Sequence, residues 1–264
     1  MPLETMEGLV VRVSDWSETS RIVTLFTREH GKLRALAKGG RRLRSPFESS
    51  LDLLNHDRMV LIRKTSGGLH LLTESSQITR FSGLAKDYQA LSGAYLVAEL
   101  LGDWVEENDP HPGLFDAAIG CLKDLEQAAC ADGETEKGVP KWNPRDRLVV
   151  LELALLIDLG YRPEFVGCVG CAKKAEKGSA AFAFGSGGLV CRGCRLDQRG
   201  WRELPERCWK LARNLVAAIE LGGNGWAELS VSEESARREV RRWLGEYLSW
   251  IRGRRPRLMG WQEE

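Results

Sequence analysis

Two cysteine pairs, Cys168-x2-Cys171 and Cys191-x2-Cys194, stand nineteen residues apart in this chain. Thiolates at this spacing suit a tetrahedral zinc site, because each pair can clasp one edge of the ion from a tight turn. Gly170 and Gly193 lie inside the two turns, where backbone amides can donate toward the sulfurs. Four sulfurs fill the coordination shell and leave no position for water, so the expected cofactor is a structural Zn2+ and not a catalytic one. A degenerate cluster without metal and a set of redox dithiols are the alternatives. The redox reading suits a Cys-x2-Cys that opens a helix after a strand, which neither pair is expected to do. Ala181 to Cys191 reads as a strand, a turn and a return strand, so a hairpin should present the second pair. Metal is expected to supply much of the folding free energy of so short a segment. Cys121, Cys130 and Cys208 fall outside the spacing and read as small buried or partly buried side chains.

The second constellation is cationic. Residues 30–45, HGKLRALAKGGRRLRS, alternate basic and apolar side chains and then run into a basic loop. Lys32, Arg34, Lys38, Arg41, Arg42 and Arg44 are therefore the candidate nucleic-acid-binding set. Clustering matters here, since affinity for a polyanion grows with the number of phosphate contacts that release counterions. The plainer alternative is a solvated strand edge followed by a basic loop. Trp16 could stack on a base or anchor its own loop. A second cluster, Arg237, Arg238, Arg241 and Arg242, fits either a phosphate contact or the charged side of an ordinary surface helix.

Enzymatic signatures are missing. There is no phosphate-binding G-x4-G-K-[ST] loop, the histidines at positions 30, 56, 70 and 111 stand apart in sequence, and no Ser/His/Asp or Cys/His grouping is visible. The expectation is a protein that is not an enzyme. An RNA-binding or translation-associated zinc protein remains an alternative, and a metal-dependent nuclease a remote one.

The elements that must position these residues follow from periodicity. Gly8–Val13, Arg21–Thr27, Lys32–Ala37, Arg58–Lys64 and Leu69–Glu74 read as five short strands separated by turn residues, which suggests a small oligonucleotide-binding (OB) barrel. Val11, Val13, Ile22, Leu25, Leu33, Leu36, Val60 and Ile62 are the expected interior. From Phe81 the period becomes helical. Leu84, Tyr88, Leu91, Tyr95, Ala98 and Leu101 should form one apolar stripe, Leu114, Phe115, Ala118, Cys121, Leu122 and Leu125 a second, and Leu148, Leu151, Leu155, Leu156 and Leu159 a third. Helices are also expected over residues 206–221 and 233–251, with residues 131–141 between helices as a loop. The fold class is α+β: residues 1–80 form an OB domain, residues 81–264 a helical domain, and residues about 163–204 a zinc-binding insert.

The chain of 264 residues is 43% apolar and 28% charged, enough for a real core. Its net charge of +1 hides a polar layout, because residues 81–140 carry twelve acidic side chains against three lysines. Cysteine use without a secretory signal, and apolar stretches broken by Glu152 and Asp158, point to a cytoplasmic, nucleoid-associated protein with no membrane segment.

Taken in order, these parts resemble the bacterial recombination and repair mediator family RecO. The stretch from Gly8 to Arg34, with its Trp16-Ser-Glu18 turn and Phe26-Thr-x3-Gly31 segment, is similar to the family's N-terminal signature. Lys38-Gly-Gly-Arg-Arg42 through Ser45 is similar to its basic loop, and Leu114-Phe115 and Leu159-Gly-Tyr161 fall where the family has similar pairs. Ala172 departs from the pattern, since many relatives have Gly there, and so does the extended loop of residues 131–141. The resemblance implies binding of single- and double-stranded DNA, annealing of complementary strands, cooperation with RecR, and engagement of the acidic C-terminal tail of single-stranded-DNA-binding protein while RecA is loaded. It implies a DNA role for Lys32, Arg34, Lys38, Arg41, Arg42 and Arg44.

Overall fold

The computed structural model describes residues 3–42, 45, 47, 50–64, 68–131, 144–174, 178, 180–223 and 225–258. Five strands open the chain: β1 (Leu3–Asp15), β2 (Arg21–Thr27), β3 (Gly31–Ala37), β4 (His56–Ile62) and β5 (His70–Thr79). They pair in the order β1-β2-β3-β5-β4 and close through β1 against β4, with β3–β5 the one parallel junction. This is the expected OB barrel. A 13-residue β1 can serve two neighbours because its first half pairs with β4 and its second with β2. Val11 is the extra residue of a bulge between Val10 and Arg12, which bends the strand from one neighbour to the other.

The interior differs from the expected set. Met6, Val10, Val23, Leu25, Leu33, Ala35, Ala37, Met59, Leu61 and Leu72 fill the barrel with Phe47 and Leu51, and Val13 packs at the margin. Only Leu25, Leu33 and Val13 of the expected interior are among them. Val11 and Ile22 are buried outside this cluster, while Leu36, Val60 and Ile62 are half-buried. The bulge shifts the parity of β1, and β4 reads Met59-Val60-Leu61-Ile62, a run in which alternation cannot say which side faces in. Pairing with β1, Met6 opposite Met59, decides it.

Helices cover the apolar outer side. A 3-10 turn at Ser82–Lys86 leads into α1 (Tyr88–Trp104), whose first turn is capped by Asp87 accepting from the Ala90 amide at 2.7 Å. Helix α2 (Pro112–Cys130) begins with proline at its first turn. Phe115 of α2 meets Phe26 of β2 at 5.8 Å between ring centroids, and Arg28 forms a two-pronged bond to Asp116 at 2.9 and 3.0 Å. The stripe on α2 is buried as expected, whereas on α1 Tyr88 and Tyr95 are exposed and the buried side is Ala90, Ala94, Val97, Leu101 and Trp104. Gly31 shows how close the chain comes: its φ is +67° and a Cβ would lie 1.8 Å from the Asp109 carbonyl oxygen. These elements form one compact unit, Met1–Ala131, and the rest a second, Asp132–Glu264.

In the second unit α3 (Pro144–Asp158) buries Leu148, Leu151, Leu155 and Leu156 as expected. It is followed by β6 (Ala180–Ala183), β7 (Gly188–Val190), the one-turn α4 (Arg192–Arg195) and β8 (Trp201–Leu204), a three-stranded sheet in the order β7-β6-β8. Then come α5 (Glu206–Glu220), a short α6 (Trp226–Ser230) and α7 (Glu234–Arg252). Arg241 of α7 is buried and paired to Asp146 of α3 and, at 2.6 Å, to Glu234, while Arg237 joins the same carboxylates. Two of the four arginines read from sequence as a basic cluster therefore belong to an internal ion network. Burial raises Asp146, and the two guanidinium groups oppose the rise.

Asp57 shares the inward parity of Met59 and Leu61, accepts from the Ser75 hydroxyl at 3.1 Å and is fully buried. Burial pushes its carboxyl from 3.8 up to about 6. The folded state then holds the proton more tightly, so this group's contribution to stability is complete below pH 3.8 and is lost as pH rises through about 6. The loss corresponds to about 3 kcal/mol. Unfolding midpoints of wild type and Asp57→Asn from pH 4.5 to 8 should therefore diverge as pH rises, with the variant the more stable at the alkaline end. Parallel curves would show that Asp57 ionises as readily in the barrel as in the unfolded chain.

Candidate metal centre and basic barrel end

The four sulfurs of Cys168, Cys171, Cys191 and Cys194 all lie within 4.8 Å of one another. Sulfurs at about 2.3 Å from a central tetrahedral ion have edges of about 3.8 Å. The Cys171 to Cys191 separation is 3.8 Å. The first pair stands on a turn in which the Ala172 amide donates to the Cys168 carbonyl at 2.8 Å and the Cys168 amide to the Lys173 carbonyl at 2.7 Å. The second pair follows the β6–β7 hairpin, as the sequence implies. Burial opposes ionisation of Cys168, but amides of Cys191, Gly170 and Cys171 donate to its sulfur and bring the thiol down to about 6. At Cys194 the neighbouring sulfurs of Cys191, Cys171 and Cys168 push the thiol up to about 12. Thiolates this close repel one another unless a cation sits among them, so the donor set fits a metal ion.

Two sequence expectations change here. Cys191 does stand between a strand and a helix, since it follows β7 and is the N-cap of α4; what sets this arrangement apart from a two-sulfur redox motif is the convergence of all four sulfurs. The segment also does not rest on metal alone. Phe182 of β6 and Phe165 pack on Trp243 of α7 at 5.0 and 5.2 Å, and Phe182 on Tyr247 at 5.2 Å, which ties the sheet to the helix. Of the three other cysteines, Cys121 and Cys208 are buried, but Cys130 is exposed at the end of α2. Gly170 leaves room beside the cluster, since a Cβ there would lie 3.0 Å from both Cβ and Sγ of Cys194.

The basic set is divided by the barrel. Arg34 is exposed on the outer side of β3, and Lys38, Arg41 and Arg42 are exposed in the loop beyond it. Lys32 shares that side but is half-buried and donates from Nζ to the Gly102 carbonyl at 2.9 Å. Desolvation lowers its pKa, with Glu106, Glu107 and Asp103 opposing the shift. It is thus committed to the end of α1. Arg44 lies outside the described residues. A connection that linear spacing does not signal joins two loops: the Arg41 guanidinium donates to the Ser17 carbonyl at 3.0 Å, and its amide donates to the Thr19 carbonyl at 3.1 Å. Asp15 stands 3.5 Å from the same guanidinium. The loop that carries Trp16, 62% exposed, is thereby held against the loop of Lys38, Arg41 and Arg42. Cationic side chains and an open indole at one barrel end can take a phosphate and a base face together.

Comparison with known proteins agrees in both halves. Residues 1–81 match the family model described as "Recombination protein O N terminal", and residues 85–258 the one described as "Recombination protein O C terminal". The chain belongs to the RecO family. It is similar to the DNA repair protein RecO of Rhodopirellula baltica, 39% identical over 193 residues, which cover 72% of this chain and 67% of that one. The RecO of a Roseiflexus species is 30% identical over 259 residues, covering 98% and 84%. That of Anaeromyxobacter dehalogenans is 31% identical over 255 residues, covering 95% and 92%. The RecO family assignment makes this a DNA repair and recombination protein, and none of its described helices is long and apolar enough to cross a membrane.

Ala172 adopts φ +59°. A side chain with a Cβ in that region costs about 1–2 kcal/mol, which glycine's greater unfolded freedom only partly offsets. Ala172→Gly should slow metal loss to a chelator, followed by a colorimetric zinc dye; faster loss would contradict the strained turn. Cys191→Ser should reduce bound metal per chain, measured by elemental analysis, while the barrel unfolds at an unchanged midpoint.

Proposed function

We propose that the protein is a non-enzymatic DNA-binding and strand-annealing mediator, with residues 1–80 as its nucleic-acid-binding domain and a structural Zn2+ on the four cysteines. The joining of the Trp16 loop to the basic loop through Arg41 carries this reading. Arg34, Lys38, Arg41 and Arg42 supply phosphate contacts, with Arg44 continuing the same loop in sequence, and Trp16 supplies a stacking surface. Lys32 acts instead as a strut between barrel and helix. Neutralising the charge of two strands lowers their mutual repulsion, and a surface that binds without reading base edges leaves those edges free to pair. No bond needs to be broken, and the site requires no nucleophile or open metal.

In the cell this activity would serve RecA loading, together with RecR, on strands covered by single-stranded-DNA-binding protein, whose acidic tail the helical region of residues 81–264 would engage. The setting is the cytoplasm at the nucleoid. The four-sulfur set supports zinc because thiolate ligands in tetrahedral array suit that ion. The ion's part is to hold β7 and α4 against the first knuckle.

The reading is tested by annealing of complementary strands coated with single-stranded-DNA-binding protein. Arg41→Glu with Arg42→Glu should weaken single-strand binding and lower the slope of log affinity against log salt by about 0.7 for each phosphate that is no longer neutralised. Trp16→Ala should weaken binding by about 1–3 kcal/mol with the salt slope unchanged. An unaltered affinity and slope in the first variant would remove the barrel end from the mechanism, and equal affinity for matched RNA with no annealing would favour an RNA-binding role.

A further inference from the structure

The four sulfurs are not equally placed for chemistry of their own. Cys171 is exposed, Cys191 and Cys194 are half-buried, and Cys168, only 4% exposed, accepts from the Cys191 amide at 3.3 Å. The Cys171 and Cys191 sulfurs come from opposite knuckles and stand 3.8 Å apart. A cleft of about 700 Å3 opens beside the cluster, with Cys191 in its wall together with Lys173, Lys174 and Arg192. Those three cations are exposed. A thiolate that meets solvent in electropositive surroundings is the kind that oxidants attack.

The platform under the knuckles stands on contacts that do not involve these sulfurs. Strand β6 pairs with both β7 and β8, and Phe165 and Phe182 pack on Trp243 of α7. Losing two sulfur ligands would free a tetrahedral ion without dismantling the sheet, because pairing and aromatic packing hold it. Such a change can be undone, since the scaffold keeps the sulfurs near one another.

We propose that Cys171 is a hydroperoxide-sensitive modification site, and that its oxidation, resolved by Cys191, reversibly releases the metal ion. The proposal rests on the four-sulfur zinc reading above. The Cys171 thiolate attacks one oxygen of hydrogen peroxide, the O–O bond breaks, and hydroxide leaves with the electron pair, so that a sulfenic acid stands on Cys171. The Cys191 thiolate then attacks that sulfur, a second hydroxide leaves, and an S–S bond replaces the 3.8 Å contact. Two protons from solvent turn the two hydroxides into water. The peroxide has gained two electrons, and two thiolates have lost them to form one disulfide. Cys168 and Cys194 remain, half the set that a structural zinc site needs.

The test uses the full chain with its metal, and hydrogen peroxide as the probe. Zinc release, followed with a colorimetric dye, should rise linearly with peroxide, one ion freed per peroxide consumed, while the near-ultraviolet circular dichroism of the aromatic platform is kept. Peptide mapping should find Cys171 joined to Cys191 with Cys168 unmodified, and dithiothreitol with added zinc should restore the ion. Cys130, exposed at the end of α2, is an internal reference. Cys130→Ser should release zinc at the wild-type rate, and a wild-type chain with Cys130 oxidised and zinc still held would overturn the proposal. A first disulfide between Cys191 and Cys194, or release that dithiothreitol and zinc do not reverse, would overturn it as well. A chain isolated with zinc that peroxide leaves in place sinks the release alone, whereas a chain isolated without zinc sinks the four-sulfur reading with it.

Discussion

A closed five-stranded barrel can take in only one parity of its side chains, and the rest of the first unit follows from that limit. Leu25 and Leu33 go inside with Met59 and Leu61, which leaves Phe26, Val11 and Ile22 on the outer side with apolar surface to bury. Burying such a side chain is worth about 1.5–3 kcal/mol. Helices α1 and α2 supply the cover, and Phe115 against Phe26 is its centre. The same cover draws in nearby cations: Arg28 is engaged by Asp116 and Lys32 by the end of α1. The charge that the helices do not reach is Arg34, Lys38 and Arg42, with Arg41 exposed but tied to Ser17 and Asp15. Packing thus sorts a continuous basic segment into struts and open cations.

The second unit solves a different problem. Four sulfurs within 4.8 Å of one another cannot all ionise without a cation, yet the sheet that carries them is also locked to α7 through Phe165, Phe182 and Trp243. An ion on the four sulfurs would fix the knuckles, and aromatic packing fixes the platform beneath them. Arg241 and Asp146 show that charge in this unit can be internal: their buried pair joins α3 to α7 and removes Arg241 from any surface role. Counting basic residues along the chain overstates the available charge for that reason.

Much of this is legible from residue types and spacing. Five strands form at the places alternation and turn residues mark, with β1 starting as early as Leu3 and β5 running on to Thr79; the stripe of α2 is the expected one, and the cysteine spacing anticipates a four-sulfur cluster and the hairpin that presents its second pair. Those are local properties, set within a few residues by backbone preference, amphipathic period or turn geometry. The errors have a common origin. The pattern puts Val60 and Ile62 inside and Tyr88 and Tyr95 in the buried stripe, and in each case a neighbouring apolar or small residue takes the place. Where both sides of an element carry apolar residues, the pattern cannot say which side faces the core.

Sequence alone was sufficient for the inventory: strands, helices, ligand sulfurs and a basic run, because each depends on residues close in the chain. Tertiary structure decided the assignments. It chose the parity of β4 through its register with β1, committed Lys32 to Gly102, and brought Ser17 and Arg41 together across a separation of 24 residues. It also gathered Lys173, Lys174, Arg192 and Arg195 around one cleft. Such contacts depend on which elements pair and how closely they pack, and those distances exist only once the chain has folded.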